Sequence, residues 1–139
     1  MDYSKMCSEM ATILPPSLPV SDHFVVGELS CRHCGNIIVS PVLLEMLERL
    51  RLAVGAPLRI CSGYRCPTHN KAIGGAKTSA HMMGLAADIA VPDRYRMNPA
   101  AFLEAAEGIA KQVGGGYHYY PAQWFIHIDC LPWPKDRRW

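Results

Sequence analysis

The stretch TSAHMMGLAADIAV, residues 78–91, constrains the fold more than any other. It places His81 and Asp88 seven residues apart, with Gly84 between them and four alanines around them. On one continuous helix the two side chains would be separated by roughly 10 Å along the axis, which is too far to bind one ion. Gly84 instead permits a turn after His81 that leads into a strand carrying Asp88. The small neighbours leave space around both side chains, so the stretch predicts a polar cleft.

A second stretch, WFIHIDC, supplies a third polar side chain. Its alternation places Phe125, His127 and Asp129 on one strand face and two isoleucines on the other. Two histidines and one carboxylate form the ligand set of hydrolytic zinc sites, which keep one coordination position open. We therefore predict a zinc site made by His81, Asp88 and His127. The alternative is that both histidines are hydrogen-bonded core residues.

The remaining patterns predict an α+β fold. SPVLLEMLERLRLAVGAP, residues 40–57, predicts a helix capped by Ser40 and ended by Gly55. NPAAFLEAAEGIAKQVGGG, residues 98–116, predicts a second helix, with Asn98 as its cap. PLRICSGY predicts a strand, PTHNKA a short helix, and SDHFVVGELSC a small strand or turn. The order of these elements predicts helices packed on one side of a small antiparallel sheet.

Length and composition indicate one domain. The chain has 139 residues, of which 50% are hydrophobic and 19% charged, so one compact core is expected over residues 22–139. Residues 1–21, with three prolines, are expected to form an extended arm. A net charge of +2 argues against a nucleic-acid binder. No apolar run is long enough for a membrane span, and we expect a monomer.

The N-terminus carries no pattern of a secretory signal, which would begin with a basic segment followed by a continuous apolar stretch. Three explanations stay open at this point. The protein stays inside the cell, it leaves by lysis or another export route, or the sequence has been trimmed.

Four of the six cysteines fall in two short motifs, CRHCG and CSGYRC, which contain Cys31, Cys34, Cys61 and Cys66. A CxxC motif followed by a second pair is one pattern of structural zinc sites, although four residues separate the second pair here. These four residues are therefore candidates for a second, structural zinc ion. Disulfides and reduced, partly buried thiols are the alternatives.

Three motifs together, SGYRC, SAHMMGLAADI and WFIHID, resemble the zinc D-Ala-D-Ala carboxypeptidase family and its murein endopeptidase relatives. That family carries an SxHxxGxAxD motif, matched here by Ser79 to Asp88, and a later strand histidine. The resemblance covers residues 22–139, and GGGYHYYP before HID is similar to the wall endopeptidase branch. It implies that His81, Asp88 and His127 bind zinc and that the fold is the one shared with hedgehog signalling domains.

The resemblance also suggests further site residues. Arg65 occupies the family's arginine position, where a guanidinium polarises the scissile carbonyl or grips a peptide carboxylate; a surface arginine in a turn is the alternative. Ser79 is expected to contact substrate. Tyr119 and Tyr120 are expected to line the substrate groove or donate to an oxyanion, and plain packing is the alternative.

The general base is not evident from the motifs. Many relatives have an acidic residue three positions before the last histidine ligand, but this chain has Trp124 there, and Phe125 follows where some have a second histidine. Asp129 is one candidate base, and it could equally orient a zinc ligand. His118, within a tyrosine-rich stretch taken as a loop, is the other candidate; the alternative is a surface or binding residue.

Three functions are compatible with these patterns. The first is a zinc peptidase, carboxypeptidase or endopeptidase, that cleaves peptidoglycan stem peptides or cross-links, as a phage lysin released by lysis or an exported bacterial enzyme. The second is a non-catalytic zinc-containing binding module of the same fold. The third is a metal-dependent nuclease, suggested by His69 and Asn70 beside the cysteine pairs, which leaves the trio of His81, Asp88 and His127 unexplained.

Overall fold

The computed structural model describes residues 14–131, and its centre is a four-stranded antiparallel sheet. The strands are β1 (Ile60–Ser62), β2 (Ala86–Ala90), β3 (Tyr117–Tyr120) and β4 (Phe125–Asp129), in the order β1-β2-β4-β3. The helices are α1 (Val26–Leu29), α2 (Pro41–Val54), α3 (Pro67–Ala72) and α4 (Ala100–Gln112), with short 3-10 turns at Ala80–Met83 and Asp93–Tyr95. The architecture is the predicted α+β class.

The two long helices form where the capping residues predict them. Ser40 Oγ accepts a hydrogen bond from Val42 N, 3.1 Å away, at the start of α2, and Gly55 ends it in the left-handed conformation with φ 63°. Asn98 Oδ1 accepts from Ala100 N at 3.4 Å. Helix α4 therefore begins at Ala100, one residue later than the capping pattern indicates.

The main core lies between these helices and one face of the sheet. Fully buried side chains from α2 and α4 meet the apolar residues of β2 and β4; the largest are Leu43, Met46, Leu47, Leu50, Phe102, Ile89, Ile126 and Ile128. The alternation predicted for β4 is confirmed, and β2 alternates in the same way, because the isoleucines of both strands face this core. The polar residues of both strands are thereby directed to the opposite face.

One predicted element differs from the structure. The segment expected to be a strand or turn contains a single helical turn, α1, whose start is held by Glu28 Oε1 accepting from Val25 N at 3.0 Å. Only Val25 makes a strand-like contact, an isolated bridge to Pro19. An acidic side chain at the third helical position satisfies a backbone donor that a strand would have paired elsewhere.

The predicted N-terminal arm falls mostly outside the described residues. The part of the arm that the structure describes is hydrogen-bonded to α1. Leu18 O accepts from Val26 N at 2.8 Å, and Pro16 O accepts from Gly27 N at 2.9 Å. The boundary at residue 22 stays a prediction. Within residues 14–131, every helix is too short or too polar to cross a bilayer.

Candidate metal centre

The polar face of the sheet carries the predicted zinc ligands side by side. Asp88 on β2 and His127 on β4 are register partners in the antiparallel ladder, so their side chains leave the sheet on the same face. His81 lies on the 3-10 turn that precedes β2. Ser79 caps this turn, because its Oγ accepts from His81 N at 3.2 Å. The sheet register and the capped turn together bring three segments to one point.

Gly84 makes the change of direction between His81 and β2 possible. It ends the 3-10 turn with φ 69°, a conformation that costs other residues free energy. A Cβ atom at this position would lie 2.3 Å from Ile38 O, so the neighbouring backbone also requires glycine. The flexible residue in the motif is therefore needed both for its backbone angle and for its lack of a side chain.

The spacing of the three ligand atoms suits a small tetrahedral ion. Asp88 Oδ1 lies 3.2 Å from His81 Nε2 and 3.1 Å from His127 Nδ1. The three ligand atoms all lie within 4.8 Å of one another. Nitrogen and oxygen ligands on tetrahedral zinc are separated by about 3.3 Å, given bond lengths near 2.0 Å. The donor set and its spacing therefore fit zinc without rearrangement of the sheet.

The second nitrogen of each histidine is bonded to the protein. His81 Nδ1 donates to Gly63 O at 2.8 Å, and His127 Nε2 donates to Asp129 Oδ2 at 2.7 Å. These bonds leave Nε2 of His81 and Nδ1 of His127 as the nitrogens that face Asp88. Metal-binding histidines make this kind of bond almost always. The pattern disfavours the alternative of two ordinary core histidines, whose outward nitrogens would not converge on one carboxylate.

Strong electrostatic coupling holds the group together. Burial lowers the pKa of His127, but its hydrogen bonds to Asp129 and Asp88 outweigh this and raise the pKa to about 9. Burial raises the pKa of Asp88, but its bonds to His127 and His81 outweigh this and lower the pKa well below the ordinary range. Without a metal, Asp88 is thus ionised and His127 is protonated at neutral pH, so binding of a metal ion would release the proton of His127.

The three predicted ligands line a cleft of about 420 Å³. Arg65 lies in its wall, and its buried Nε has no hydrogen-bond partner among the described residues. Burial lowers the pKa of the Arg65 guanidinium, and the charge of Asp88 opposes that shift. The rest of the lining is small or aromatic: Ile73, Gly74, Gly75, Ala76, Thr78, Ser79, Ala80, Tyr120 and Phe125.

The comparison with protein families accounts for this geometry. The model of the family described as Peptidase M15 matches residues 22–129, more than half of the chain. The chain belongs to the peptidase M15 family. This is the zinc D-Ala-D-Ala carboxypeptidase family that the motifs resemble, so the protein is related to zinc metallopeptidases. No curated protein sequence matches the chain.

The cleft beside the three predicted ligands, hereafter the M15 cleft, contains six of the nine residues predicted for the site. They are Arg65, Ser79, His81, Asp88, Tyr120 and His127. Tyr119 lies outside it, because strand alternation turns this side chain toward the main core. His118 lies on β3 rather than in a loop, as the register partner of His127, and its ring packs edge-on against Tyr120. It shares the polar face but is not in the cavity wall.

Asp129 lies behind His127 rather than in the cleft. Its side chain is fully buried, and Oδ1 accepts from Gly116 N at 2.8 Å and from Leu131 N at 3.1 Å. Its other oxygen, Oδ2, accepts from His127. Of the two roles left open by the sequence, this arrangement favours the orientation of a ligand.

Two features of the M15 cleft were missed from the sequence. Gly63 O anchors the His81 ring, and the loop that follows α3 forms one wall through Ile73, Gly74 and Gly75. The glycines of SGYR and AIGGA were the available signals. A Cβ at Gly75 would overlap the Asn70 side chain, 2.1 Å from Oδ1, so this loop needs glycine there. Asn70 is thus a buried support of the cleft wall.

The predicted four-cysteine zinc set is wrong in one member. Cys31, Cys34 and Cys66 form a group whose sulfur atoms lie within 4.8 Å of one another. Cys61 is exposed, because it lies at a register irregularity of β1, between Ile60, which pairs with Ile89, and Ser62, which pairs with Asp88. The group that could hold a metal therefore contains three cysteines among the described residues, of which Cys31 and Cys66 are free thiols and Cys34 is disulfide-bonded.

Proposed function

We propose that this M15 protein is a zinc-dependent peptidase that hydrolyses peptide bonds in peptidoglycan stem peptides or their cross-links. The observation that carries the proposal is the convergence of His81, Asp88 and His127 in a cleft that also contains Arg65. A ligand set of two histidines and one carboxylate leaves a coordination position open, and the open cleft lies next to it.

The three ligands would hold one zinc ion, which when bound polarises a carbonyl and activates water for attack on it. The contribution of the protein is to fix its own ligands. Gly63 O and Asp129 hold the two imidazoles, and strand pairing holds Asp88. Fixed ligands require little rearrangement during the reaction, which is how preorganised sites lower a barrier.

Arg65 is suited to bind a substrate oxygen. Its guanidinium lines the cleft and its Nε is buried without a protein partner among the described residues, although a buried donor without a partner is costly. A substrate carbonyl or carboxylate would supply that partner. The same charge would stabilise negative charge that develops on the carbonyl oxygen.

The proton-transfer residue is proposed from position. Among the described lining residues, Asp88 is the only carboxylate, and it is a ligand. His118 leaves the sheet on the same face as His127 and directly beside it. We assign His118 to proton transfer and Asp129 to the orientation of His127, since the Asp129 oxygens are bonded to protein donors.

The lining suits a chain of small residues. Gly74, Gly75, Ala76 and Ala80 leave room for a peptide backbone, while Tyr120 stacks on Phe125 at one side with ring centroids 4.5 Å apart. Stem peptides are rich in alanine and end in a carboxylate, so narrow small-residue walls and an arginine match their chemistry. The mild net charge of +2 does not oppose an anionic polymer.

The test is a digest of purified peptidoglycan and its soluble muropeptides by the zinc-loaded protein, with and without a chelator, read by mass spectrometry. Loss of terminal D-alanine would identify a carboxypeptidase, and conversion of dimers to monomers would identify an endopeptidase. Arg65→Lys should reduce either product about 10²–10³-fold, whereas Arg94→Lys, outside the cleft, should not. The absence of any chelator-sensitive product would refute the peptidase proposal.

A binding module of the same fold is the second candidate. Trp124 and Phe125 replace the acidic residue and histidine of relatives, and Trp124 packs against the main core. A protein that binds muropeptides and zinc with no turnover would support this candidate. Calorimetric titration with intact muropeptides, on the samples used for the digest, distinguishes the two.

A further inference from the structure

A second cluster of metal-binding atoms lies apart from the cleft ligands. Cys31, Cys34 and Cys66 bring their sulfur atoms within 4.8 Å of one another, and together with Tyr64 they form a separate buried cluster. Sulfur ligands on tetrahedral zinc are separated by about 3.8 Å, given Zn–S bonds near 2.3 Å. Three sulfurs this close suit one soft metal ion.

The backbone around the cluster is arranged for thiolate sulfur. Cys31 Sγ accepts from His33 N and from Cys66 N, both at 3.4 Å, and Cys66 Sγ accepts from His69 N at 3.5 Å. Gly35, with φ 75°, closes the turn of the CxxC motif, and its N donates to Cys31 O at 2.9 Å. Amide donors directed at sulfur stabilise a negative charge there.

A histidine lies beside the three sulfurs, outside the group whose atoms are all within 4.8 Å of one another, so its ring would have to turn toward the sulfurs to bind the same ion. His33 Nδ1 lies 3.4 Å from Cys66 Sγ. A nitrogen and a sulfur on the same tetrahedral zinc ion are separated by about 3.6 Å, so this distance is that of two ligands of one ion. His69, whose ring stacks on that of His33 with centroids 6.5 Å apart, supports its orientation.

We propose that Cys31, Cys34, Cys66 and His33 bind a structural zinc ion, distinct from the cleft ion. Four protein ligands leave no open position, which is the pattern of structural zinc sites. Cys34 forms a disulfide in this structure, so the zinc-bound form belongs to the reduced chain, in which the Cys34 thiolate is available to the ion.

The position of the cluster in the fold explains what such an ion would do. Cys66 directly follows Arg65 in the chain, and Tyr64 N donates to Leu29 O at 2.9 Å. The ion would hold the end of α1 to the SGYR turn and so fix the backbone that carries Arg65.

This inference does not depend on peptidase activity, so its test uses metal binding alone. The intact chain is purified with zinc under reducing conditions, and bound zinc is measured by mass spectrometry of the native protein. Cobalt replacement gives a second readout, because a sulfur-to-cobalt charge-transfer band arises only from thiolate ligands. The variants are Cys66→Ser, His33→Ala and His81→Ala, with Cys61→Ser as the matched control for an exposed cysteine.

We expect about two zinc ions per wild-type or Cys61→Ser chain and about one per Cys66→Ser chain. The His81→Ala variant should lose one ion and keep the cobalt band. His33→Ala should release the thiolate-bound ion to a chelator at least about 10-fold faster. If Cys66→Ser does not fold, the wild-type cobalt spectrum still shows whether thiolates bind the ion, and the His33→Ala variant still shows whether His33 contributes to its binding. An unchanged zinc content in Cys66→Ser relative to the wild type, absence of the band, or a disulfide at Cys34 that persists under these reducing conditions would overturn the proposal. One zinc ion per wild-type chain together with the band would instead count against the cleft ion.

Discussion

Asp88 and His127 are direct partners across strands β2 and β4, and Asp88 Oδ1 lies 3.1 Å from His127 Nδ1. A shift of the pairing by one residue would turn one of them toward the apolar core. The core therefore fixes the geometry of the candidate zinc site, because Ile89, Ile126 and Ile128 pack on the opposite face of the same strands. The free energy that specifies the fold also specifies the ligand spacing.

Replacement of Asp129 by asparagine should weaken zinc binding without unfolding the protein. The amide oxygen can still accept from Gly116 N, but the carboxylate that holds His127 Nε2 is lost. We expect a decrease in zinc affinity of about 10–100-fold, measured by competition with a chelating dye. Asp93→Asn, an exposed aspartate, is the control. Equal affinities in the two variants would remove Asp129 from the orienting role.

Replacement of His118 by glutamine should reduce turnover with no loss of zinc. Proton transfer by a positioned side chain contributes about 10²–10⁴-fold, so kcat should fall within that range while KM changes little. The pH profile of kcat should also lose one limb. His23→Gln, which removes a histidine that contacts Glu48 instead, is the control. A variant with the wild-type kcat and pH profile would leave His118 as a surface residue.

Gly84→Ala should destabilise the protein more than Gly55→Ala. Both glycines have positive φ, at 69° and 63°, so each substitution should cost about 1–2 kcal/mol for the backbone angle. At Gly84 the new methyl group would also lie 2.3 Å from Ile38 O, which adds about 1–3 kcal/mol. At Gly55 no atom lies within 4 Å. Denaturant unfolding of both variants measures the difference, and equal losses would contradict the structural role of Gly84.

Glu48 should make stability depend on acid pH. Burial raises the pKa of Glu48, but donors from Ser21 and His23 outweigh it and hold the pKa below the ordinary value of 4.5. A lowered pKa in the folded state means that the ionised form stabilises the fold. This stabilisation is present above pH 4.5 and is lost as the pH falls through the lower, folded value.

The corresponding experiment compares the free energy of unfolding of wild type and Glu48→Gln from about pH 7 to about pH 3. The variant should be less stable by about 1–3 kcal/mol at neutral pH, and the difference should shrink on acidification. Glu104→Gln, at an exposed position, should follow the wild type at every pH. A constant difference across the range would show that the ionisation of Glu48 is not responsible.

The motifs predicted that the three candidate ligands would lie together, because sequence spacing and strand alternation determine which face a side chain occupies. The motifs did not show whether Asp129 acts as a base or orients a ligand, since alternation predicts the sheet face of a side chain and not how deeply it is buried. The burial of Asp129 behind His127 arises from tertiary packing. Tyr119 and Tyr120 were assigned alike because the stretch was taken as a loop. Its pairing with β4 separates them onto opposite faces. Cys61 was grouped by proximity in sequence, whereas β1 turns it to solvent.

The most direct test of the zinc site is a zinc-edge anomalous difference map from crystals of the zinc-loaded protein. We expect a peak about 2.0–2.2 Å from His81 Nε2, Asp88 Oδ1 and His127 Nδ1, with His127 Nε2 still bonded to Asp129. A map from well-occupied, zinc-saturated crystals with no peak among these three atoms would contradict the proposed site.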